Sequence, residues 1–317
     1  MRKIDELAQW LRERDHIVIL THVHPDGDAL GSTSAICMAL QKMGKQAVCV
    51  CDDPVPSDLA FLPVSAVQPE QLPFAPRWAL LCDAGDAGRA GRSGKLLDQV
   101  QGASTLDHHG TSRGVGDICI IEPKSSATGV LVLELIRSLG VSLDRDMAAC
   151  LYAAITTDTG NFAFSNTNPD ALRAVADCLE TGLDAEDMNY RLFRARRMQK
   201  TRLIGAALYD MEFLRDGRVA LIQITREKMA RCGASGEDID TIVNFGMDTK
   251  GVAVSVLLEE RGSTVKVSLR SRGELDVSAL AARLGGGGHK NAAGATLDLS
   301  IGEAAMRVTG MIDEMLK

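Results

Sequence analysis

The stretch IVILTHVHPDGDALGS, residues 17–32, decides the fold. Its apolar start, residues 17–20, is typical of a strand buried on both faces of a sheet. His22, Asp26 and Asp28 follow at once, around a turn that contains Pro25 and Gly27. Open α/β sheets hold their sites at the carboxyl ends of strands, and two carboxylates with one imidazole suit Mn²⁺, Mg²⁺ or Zn²⁺. We therefore predict a metal site, the alternative being two solvated turn residues and an ordinary strand-end histidine.

The same pattern, a short apolar stretch that ends in potential metal ligands, recurs three times. Residues 104–106 lead into Asp107, His108 and His109, residues 78–82 lead into Asp83, and residues 153–155 lead towards Asp158. Stretches so far apart in the chain can converge only if they are neighbouring strands of one sheet. We therefore expect all four stretches to end at a shared site.

Strands and helices alternate along the first part of the chain. This alternation predicts an α/β fold with a doubly wound, mainly parallel sheet. Strands are expected at residues 17–20, 47–51, 78–82, 103–106 and 118–121, and helices at 3–14, 29–43, 127–139, 147–155 and 168–182. Residues 63–76 hold four prolines and are predicted to be an irregular connection.

A second, smaller α/β domain is predicted after a helical, basic segment. We expect a first domain at residues 1–184, a helical connector at 185–211 and a second domain at 212–317, with the active-site cleft between the two domains. The connector is interpreted as a solvated helix, the alternative being that one of its arginines touches substrate. Strands are expected at 218–224, 252–260 and 264–270, and helices at 278–284 and 302–315.

Four consecutive glycines, residues 285–288, stand out in the second domain. Such a run is costly to order and offers no side chain to pack, which indicates that something approaches its backbone. Successive glycine amides can form an anion-binding nest, so a phosphate cradle is predicted. The expected substrate-binding residues are Gly286, Gly287, Gly288, His289, Lys290, Ser268, Arg270 and Arg272, with Arg89 from the loop after Asp83. For the arginines near residue 270, the alternative is a solvated pair.

Together these motifs resemble the DHH phosphoesterases, a family named for the Asp-His-His seen here at residues 107–109. The four DHH motifs match THVHPDGDALGS, LLCDAGD, LDHHG and TTDTGNF, and GGGGHKNAAG resembles the glycine-rich signature of the DHHA1 domain. The resemblance covers nearly the whole chain. In length and layout the chain is similar to the bacterial nanoRNase and 3',5'-bisphosphonucleotide phosphatase subgroup (NrnA-type), and to the catalytic part of the RecJ exonuclease.

This resemblance implies a two-metal site, with Mn²⁺ as the usual metal and Mg²⁺ or another divalent ion as an alternative. One cation would be held by His22, Asp26, Asp83 and Asp158, and the other by Asp28, Asp83, His108 and Asp158. Asp83 and Asp158 would bridge the two cations. The resemblance further implies that His109 faces the scissile phosphate as a catalytic residue, and we expect Asp107 to orient His108.

Composition narrows the class of partner and the compartment. The net charge of −7 argues against long duplex nucleic acid, and the excess acid lies in residues 1–216, because residues 217–317 hold thirteen acidic and thirteen basic residues. The absence of a long apolar run or a signal-peptide core predicts a cytoplasmic protein without a membrane contact. Eight cysteines without C-x₂-C spacing are expected to be reduced and structural.

The expected activity is hydrolysis of short oligoribonucleotides to mononucleotides, or removal of the 3'-phosphate of 3',5'-bisphosphoadenosine (pAp). Linear dinucleotides such as pGpG and the ends of short single-stranded DNA are alternatives within the same chemistry. A manganese pyrophosphatase would share the first four motifs but not the glycine run. The alternative outside enzymes is a nucleotide-sensing module. The sequence leaves the oligomeric state open, a homodimer included.

Overall fold

Two six-stranded sheets organise the chain, one in each of two units. The structure, a computed structural model, describes residues 2–239 and 241–316. Residues 1 and 317, the outer ends of the expected domains, lie outside the described residues. The first unit ends at Ala195 and the second begins at Arg196. This division falls within the segment expected to be a helical connector, which consists of helices Ala185–Asn189 and Met198–Tyr209 with a π-helical turn, Tyr190–Arg194, between them.

The first sheet is parallel throughout. Its strands are β1 (Ile17–Leu20), β2 (Ala47–Val50), β3 (Ala66–Val67), β4 (Trp78–Cys82), β5 (Gly102–Asp107) and β6 (Ile118–Ile121), in the order β3-β2-β1-β4-β5-β6. The direction of strand order reverses between β1 and β4. Open α/β sheets place their ligands outside the carboxyl ends of the strands at such a switch point.

Both faces of this sheet are covered, which explains its continuous apolar strands. The helices of the unit are α1 (Lys3–Arg12), α2 (Gly27–Lys42), α3 (Thr128–Ser138), α4 (Arg145–Asp158), α5 (Pro169–Glu180) and α6 (Ala185–Asn189). On one face Ile17, Ile19 and Leu80 share a core cluster with residues of these helices. On the other face, Val18 and Leu20 pack under the 3₁₀-helix Ser93–Asp98 and neighbouring loops.

Helices α2 and α4 lie in close contact because two glycines of α2 have no side chain. A β-carbon at Gly27 would lie 2.4 Å from the Thr157 hydroxyl, and one at Gly31 would lie 2.3 Å from the Cys150 carbonyl oxygen. Side chains do not approach backbone that closely, so a larger residue at Gly31 would push the helices apart. The contact places the end of α4 beside the start of α2.

The second unit has a mixed sheet in the order β11-β12-β10-β9-β8-β7. Its strands are β7 (Glu212–Leu214), β8 (Val219–Ile224), β9 (Val254–Arg261), β10 (Thr264–Ser271), β11 (Gly287–His289) and β12 (Ala292–Leu297), and its helices are α7 (Met198–Tyr209), α8 (Arg226–Cys232), α9 (Ile242–Met247), α10 (Val277–Arg283) and α11 (Ile301–Met315). Among its described residues, β8 and β9 pair in parallel and the other neighbouring strands pair antiparallel. The sequence did not indicate the strands β7, β11 and β12 or the helices α8 and α9. In the first unit, the expectation that residues 63–76 are irregular is wrong at β3, which pairs with β2.

Within residues 2–239 and 241–316, no helix combines the length and the apolar character that a membrane crossing would need.

Candidate metal centre

The predicted metal ligands lie at the switch point of the first sheet. His22 follows β1, Asp83 follows β4, and His108 follows β5. Asp26 caps α2, its side chain accepting hydrogen bonds from the backbone N–H groups of Asp28 and Ala29, so the first turn of this helix adds two carboxylates. Two expectations from the sequence concern the stretch before Asp158, and the helix at residues 147–155 is confirmed while the strand is wrong. Asp158 is the last residue of α4, and the α2–α4 contact brings it to the site.

Two groups of side chains converge around Asp83. The Nε2 atom of His22 lies 3.9 Å from Asp26 Oδ1 and 3.8 Å from Asp83 Oδ2. The Nε2 atom of His108 lies 3.7 Å from Asp28 Oδ2, 3.8 Å from Asp83 Oδ1 and 3.6 Å from Asp158 Oδ2. These separations are longer than hydrogen bonds. They suit pairs of ligand atoms that bind the same cation, each at about 2 Å from it.

Both imidazole rings are oriented by backbone carbonyl groups. Nδ1 of His22 lies 2.8 Å from the carbonyl oxygen of Val23, and Nδ1 of His108 lies 3.1 Å from that of Ser125. Each Nδ1–H therefore donates to a carbonyl group and leaves Nε2 with its lone pair directed to the site, the arrangement typical of metal-binding histidines.

The start of α3 holds two of the carboxylates. The backbone N–H groups of Thr128 and Gly129 donate to Asp28 at 2.7 and 2.9 Å, and the Ser32 hydroxyl adds a third hydrogen bond at 2.9 Å. The Thr128 hydroxyl donates to Asp83 Oδ1 at 2.8 Å. Asp83 also has a left-handed backbone, with φ of 56°, which is uncommon for a residue with a side chain.

The carboxylates and imidazoles of the site fit divalent cations, because nearby positive charge would stabilise the crowded carboxylates in their ionised form. Burial, and then the charges of Asp158 and Asp26, raise the pKa of Asp28 well above its usual value. Burial, and then the charges of Asp28 and Asp26, do the same to the pKa of Asp83. Burial also raises the pKa of Asp158, against the lowering effect of His108. Carboxylates so crowded are stabilised in their ionised form by a bound cation, and oxygen with imidazole is the ligand set of Mn²⁺, Mg²⁺ or Zn²⁺.

Asp107 orients His109 rather than His108, contrary to the expectation from the sequence. Asp107 Oδ1 lies 2.8 Å from His109 Nδ1 and accepts the backbone N–H of the same residue at 2.9 Å, while Oδ2 accepts the N–H of Gly85 at 2.7 Å. Burial alone would raise the pKa of Asp107, but the bonds from His109 lower it to about 2. The hydrogen bond to Asp107 raises the pKa of His109. Asp107 thus holds the partly exposed His109 ring through Nδ1, and the expectation that this ring faces the scissile phosphate stays a prediction.

Arg89 lies on the exposed loop that follows β4, near His109. Its positive charge is close enough to lower the pKa of the His109 ring. The loop is attached to the segment after β1 and to itself, because Val23 N–H donates to the Arg89 carbonyl group at 2.9 Å and Arg89 N–H donates to Asp86 at 3.0 Å. Binding of substrate by Arg89 stays a prediction.

Four of the substrate-binding residues expected in the second unit form two rows across its sheet. Ser268 on β10 pairs with Gly294 on β12, which pairs with Gly287 on β11. In the next row of the same face, Arg270 and His289 both pair with Ala292. Arg272 lies beyond the end of β10, and Lys290 forms an ion pair with Glu274 at 2.7 Å.

The glycine run has a structural role that the sequence analysis considered unlikely. The backbone that approaches it is the protein's own strand β12: a β-carbon at Gly286 would lie 2.0 Å from the Gly294 carbonyl oxygen, and one at Gly288 would lie 2.5 Å from that of Ala292. Gly285 adopts a left-handed conformation after α10. A β-carbon at Gly285 or at Gly287 would meet no atom within 4 Å, so the approach of β12 accounts for Gly286 and Gly288, and the left-handed backbone after α10 accounts for Gly285.

Sequence reasoning missed three residues that support the site. Thr128 and Ser125 bind ligand side chains, as described above. Asn166 is the third, and its side-chain N–H group donates to the carbonyl oxygen of Asp158 at 3.1 Å. Thr128 acts across 45 residues and Ser125 through its backbone carbonyl group, whereas Asn166 lies only eight residues after Asp158 but in a loop without a periodic pattern.

With this geometry established, comparison with known proteins assigns the chain to a class. The DHH family N-terminal domain matches residues 16–155, and the DHHA1 domain matches residues 220–317. The chain belongs to the DHH family and carries a DHHA1 domain.

Individual relatives place it more closely. The chain is 37% identical over 301 residues to the bifunctional oligoribonuclease and PAP phosphatase NrnA of Thermus thermophilus, covering 95% of this chain and 90% of the relative. An exopolyphosphatase-related protein from Bacteroides fragilis superposes with a TM-score of 0.87 at 28% identity, covering 98% and 94% of the two chains. RecJ from Thermus thermophilus, solved in complex with Mn²⁺, shares the fold, with a TM-score of 0.55 at 14% identity, and covers 99% of this chain and 55% of RecJ.

Proposed function

We propose that the chain is a phosphoesterase that uses two divalent cations. One cation would be held by His22, Asp26, Asp83 and Asp158, and the other by Asp28, Asp83, His108 and Asp158. The observation that carries this proposal is the position of Asp83, whose Oδ2 lies 3.8 Å from His22 Nε2 and whose Oδ1 lies 3.8 Å from His108 Nε2. One carboxylate between two imidazoles is the arrangement that a bridged pair of cations requires.

The residues around this pair have separate tasks. When bound, the cations would supply a hydroxide near neutral pH and neutralise charge on the phosphate. His109, held by Asp107, would donate from Nε2 to a phosphate oxygen as negative charge develops there. Arg89 would bind a second oxygen of the same phosphate. Mn²⁺ is the metal we favour, because RecJ from Thermus thermophilus, which has the same fold, was solved in complex with Mn²⁺, and the oxygen and imidazole ligands are compatible with it.

The substrates we propose are short oligoribonucleotides, from which mononucleotides are released, and the 3'-phosphate of pAp. The relative that is 37% identical along nearly its whole length, named for both activities, supports this choice. In the second unit, Ser268, Arg270 and His289 lie on one face of the sheet and would bind a phosphate of the substrate.

The test is Mn²⁺-dependent hydrolysis of pAp, a labelled RNA trimer and a labelled RNA many times longer. Wild type should release phosphate from pAp and mononucleotide from the trimer, and Asp83→Asn should do neither. Asp98→Asn, which changes an exposed carboxylate of the 3₁₀-helix Ser93–Asp98, is the matched control and should behave as wild type. Equal degradation of the long RNA would contradict the proposed preference for short molecules. Activity retained by Asp83→Asn would contradict the two-metal site.

A further inference from the structure

The loop that follows Asp158 is built as a rigid support. Asn161 N–H donates to the Thr156 carbonyl oxygen at 2.7 Å, and Phe164 N–H donates to that of Thr159 at 3.0 Å. At the far end of the loop, the side-chain N–H group of Asn166 donates to the carbonyl oxygens of Ser126 at 2.9 Å and Asp158 at 3.1 Å. The backbone of this loop is therefore attached directly to the helix end that carries a metal ligand.

Two phenylalanines of this loop have opposite environments. Phe162 packs against the core cluster of the first unit. Phe164, two residues further on, is 59% exposed. Since Phe162 anchors the loop, burial does not explain why an aromatic residue occupies position 164.

The Phe164 ring packs against backbone on one side. It lies against Gly160, where a β-carbon would be only 2.5 Å from the ring atoms Cε1 and Cζ. Gly160 has φ of 56°, a left-handed conformation that favours glycine, and its lack of a side chain leaves the space that the ring occupies. An aromatic ring that rests on backbone and is still open to solvent offers its free face to a flat ligand.

We propose that the Phe164 ring is a stacking platform for a nucleobase of the substrate. The inference rests on the proposed function, because Gly160 and Asn166 both connect the ring to Asp158 of the metal centre, so that a base bound there would belong to a nucleotide whose phosphate is at the cations. Stacking tolerates every base, since each has a π-face. The platform would therefore increase affinity for nucleotides without selecting a sequence.

Binding of a fluorescent dinucleotide tests the platform without depending on catalysis. The probe is a dinucleotide that contains 2-aminopurine and a non-hydrolysable phosphonate linkage, whose fluorescence falls when the base stacks. Phe164→Leu keeps apolar bulk but removes the π-face, and Phe164→Trp keeps the π-face. Phe213→Leu is the matched control, because Phe213 is 48% exposed on β7 of the second unit.

We expect quenching by wild type, Phe164→Trp and Phe213→Leu, and about tenfold weaker binding with little quenching in Phe164→Leu. In hydrolysis, Phe164→Leu should raise KM for a natural dinucleotide but not for the same dinucleotide lacking the base that stacks. Equal quenching and affinity in wild type and Phe164→Leu would overturn the proposal. So would an equal loss of activity on the dinucleotides with and without that base. If wild type hydrolyses neither dinucleotide while quenching still depends on Phe164, the platform stands and the proposed hydrolase function fails.

Discussion

Thr128 is the residue on which two of the site carboxylates depend together. Its backbone N–H donates to Asp28 and its hydroxyl to Asp83, both within the buried interior of the first unit. Because Asp83 faces both imidazoles, a small rotation of its carboxylate would change both proposed ligand groups. Replacing a residue that orients metal ligands in this way commonly lowers metal affinity by roughly 10- to 100-fold.

Replacing the hydroxyl of Thr128 is expected to weaken metal binding with little change of shape. In Thr128→Val, Asp83 loses its 2.8 Å hydrogen bond. We expect Mn²⁺ affinity to fall by roughly 10- to 100-fold, the range found when residues that orient metal ligands are replaced. Calorimetric titration with Mn²⁺ measures this loss directly.

Thr128→Ser keeps the hydroxyl and is the control. It should bind Mn²⁺ nearly as wild type does. Equal affinity in Thr128→Val and wild type would mean that this hydrogen bond does not orient Asp83.

At the residue scale, the sequence identified the residues that converge but not which partner each one has. Asp83 was predictable because it directly follows an apolar stretch that reads as a strand, and His22 and Asp26 because they lie in the turn after another such stretch. The partner of Asp107 was not predictable, since both His108 and His109 follow it within two residues and the rotation of the backbone after β5 decides between them. Thr128 could not be recognised, because its partner is 45 residues away.

The contact between α2 and α4 is the element-scale feature that forms the site. Gly27 and Gly31 lie one helical turn apart on α2, and both meet α4 where side chains would not fit. The separation of the two helices decides whether Asp158 reaches the ligands that come from the strands.

Gly31→Ala is therefore expected to destabilise the first unit and weaken the site. The new methyl group would lie 2.3 Å from the Cys150 carbonyl oxygen, and overpacking of this kind costs about 1–3 kcal/mol. Urea unfolding measures the loss, and Mn²⁺ titration should show weaker binding as α4 shifts.

Gly205→Ala in α7 is the matched control. A β-carbon there meets no atom within 4 Å, so the substitution should raise the free energy of unfolding by about 0.4–1 kcal/mol. A Gly31→Ala variant as stable as wild type would show that the two helices do not depend on this close approach.

The 3₁₀-helix Gly236–Asp238 gives a prediction on pH. Burial alone would raise the pKa of Asp238, but hydrogen bonds from Ser235 and Arg197 lower it below its usual value. A carboxylate with a lowered pKa stabilises the fold above the unfolded pKa, and this contribution is lost as the pH falls through the folded pKa.

Asp238→Asn should thus be less stable than wild type by about 1 kcal/mol at neutral pH, and the difference should shrink below the usual pKa of an aspartate. Unfolding by urea at neutral and acid pH measures both values. Asp248→Asn, which changes an exposed acid of the same unit, should cost little at either pH. A difference that stayed constant with pH would contradict an ionised Asp238.

At the element scale, the apolar pattern and the length of an element together decided what the sequence could indicate. Strands β1, β4 and β6 were predicted with the bounds that the structure has. The short elements β7, β11 and α9 hold too few residues to show a period. The strand β11 is also made largely of glycine, which has no side chain to show the alternation typical of a strand. Its pairing with β12 is therefore visible in the structure but not in the sequence.

At the scale of the whole molecule, the predicted family and fold class are confirmed. Matches to the DHH and DHHA1 domains, and the parallel order β3-β2-β1-β4-β5-β6, agree with the expectation of a parallel α/β sheet followed by a second domain. The excess of acid in residues 1–216 is accounted for in part by the carboxylates of the site. The order of the motifs and the distribution of charge could predict the family, the fold class and the location of the excess acid, because both are properties of the whole chain.

The central claim is that the side chains around Asp83 hold two cations in one chain. The most direct measurement is the number of Mn²⁺ ions bound per chain, by calorimetric titration together with elemental analysis. We predict two in wild type and at most one in Asp28→Asn, because Asp28 belongs to only one of the two proposed ligand sets. One ion or none in wild type, or two ions in Asp28→Asn, would contradict the account.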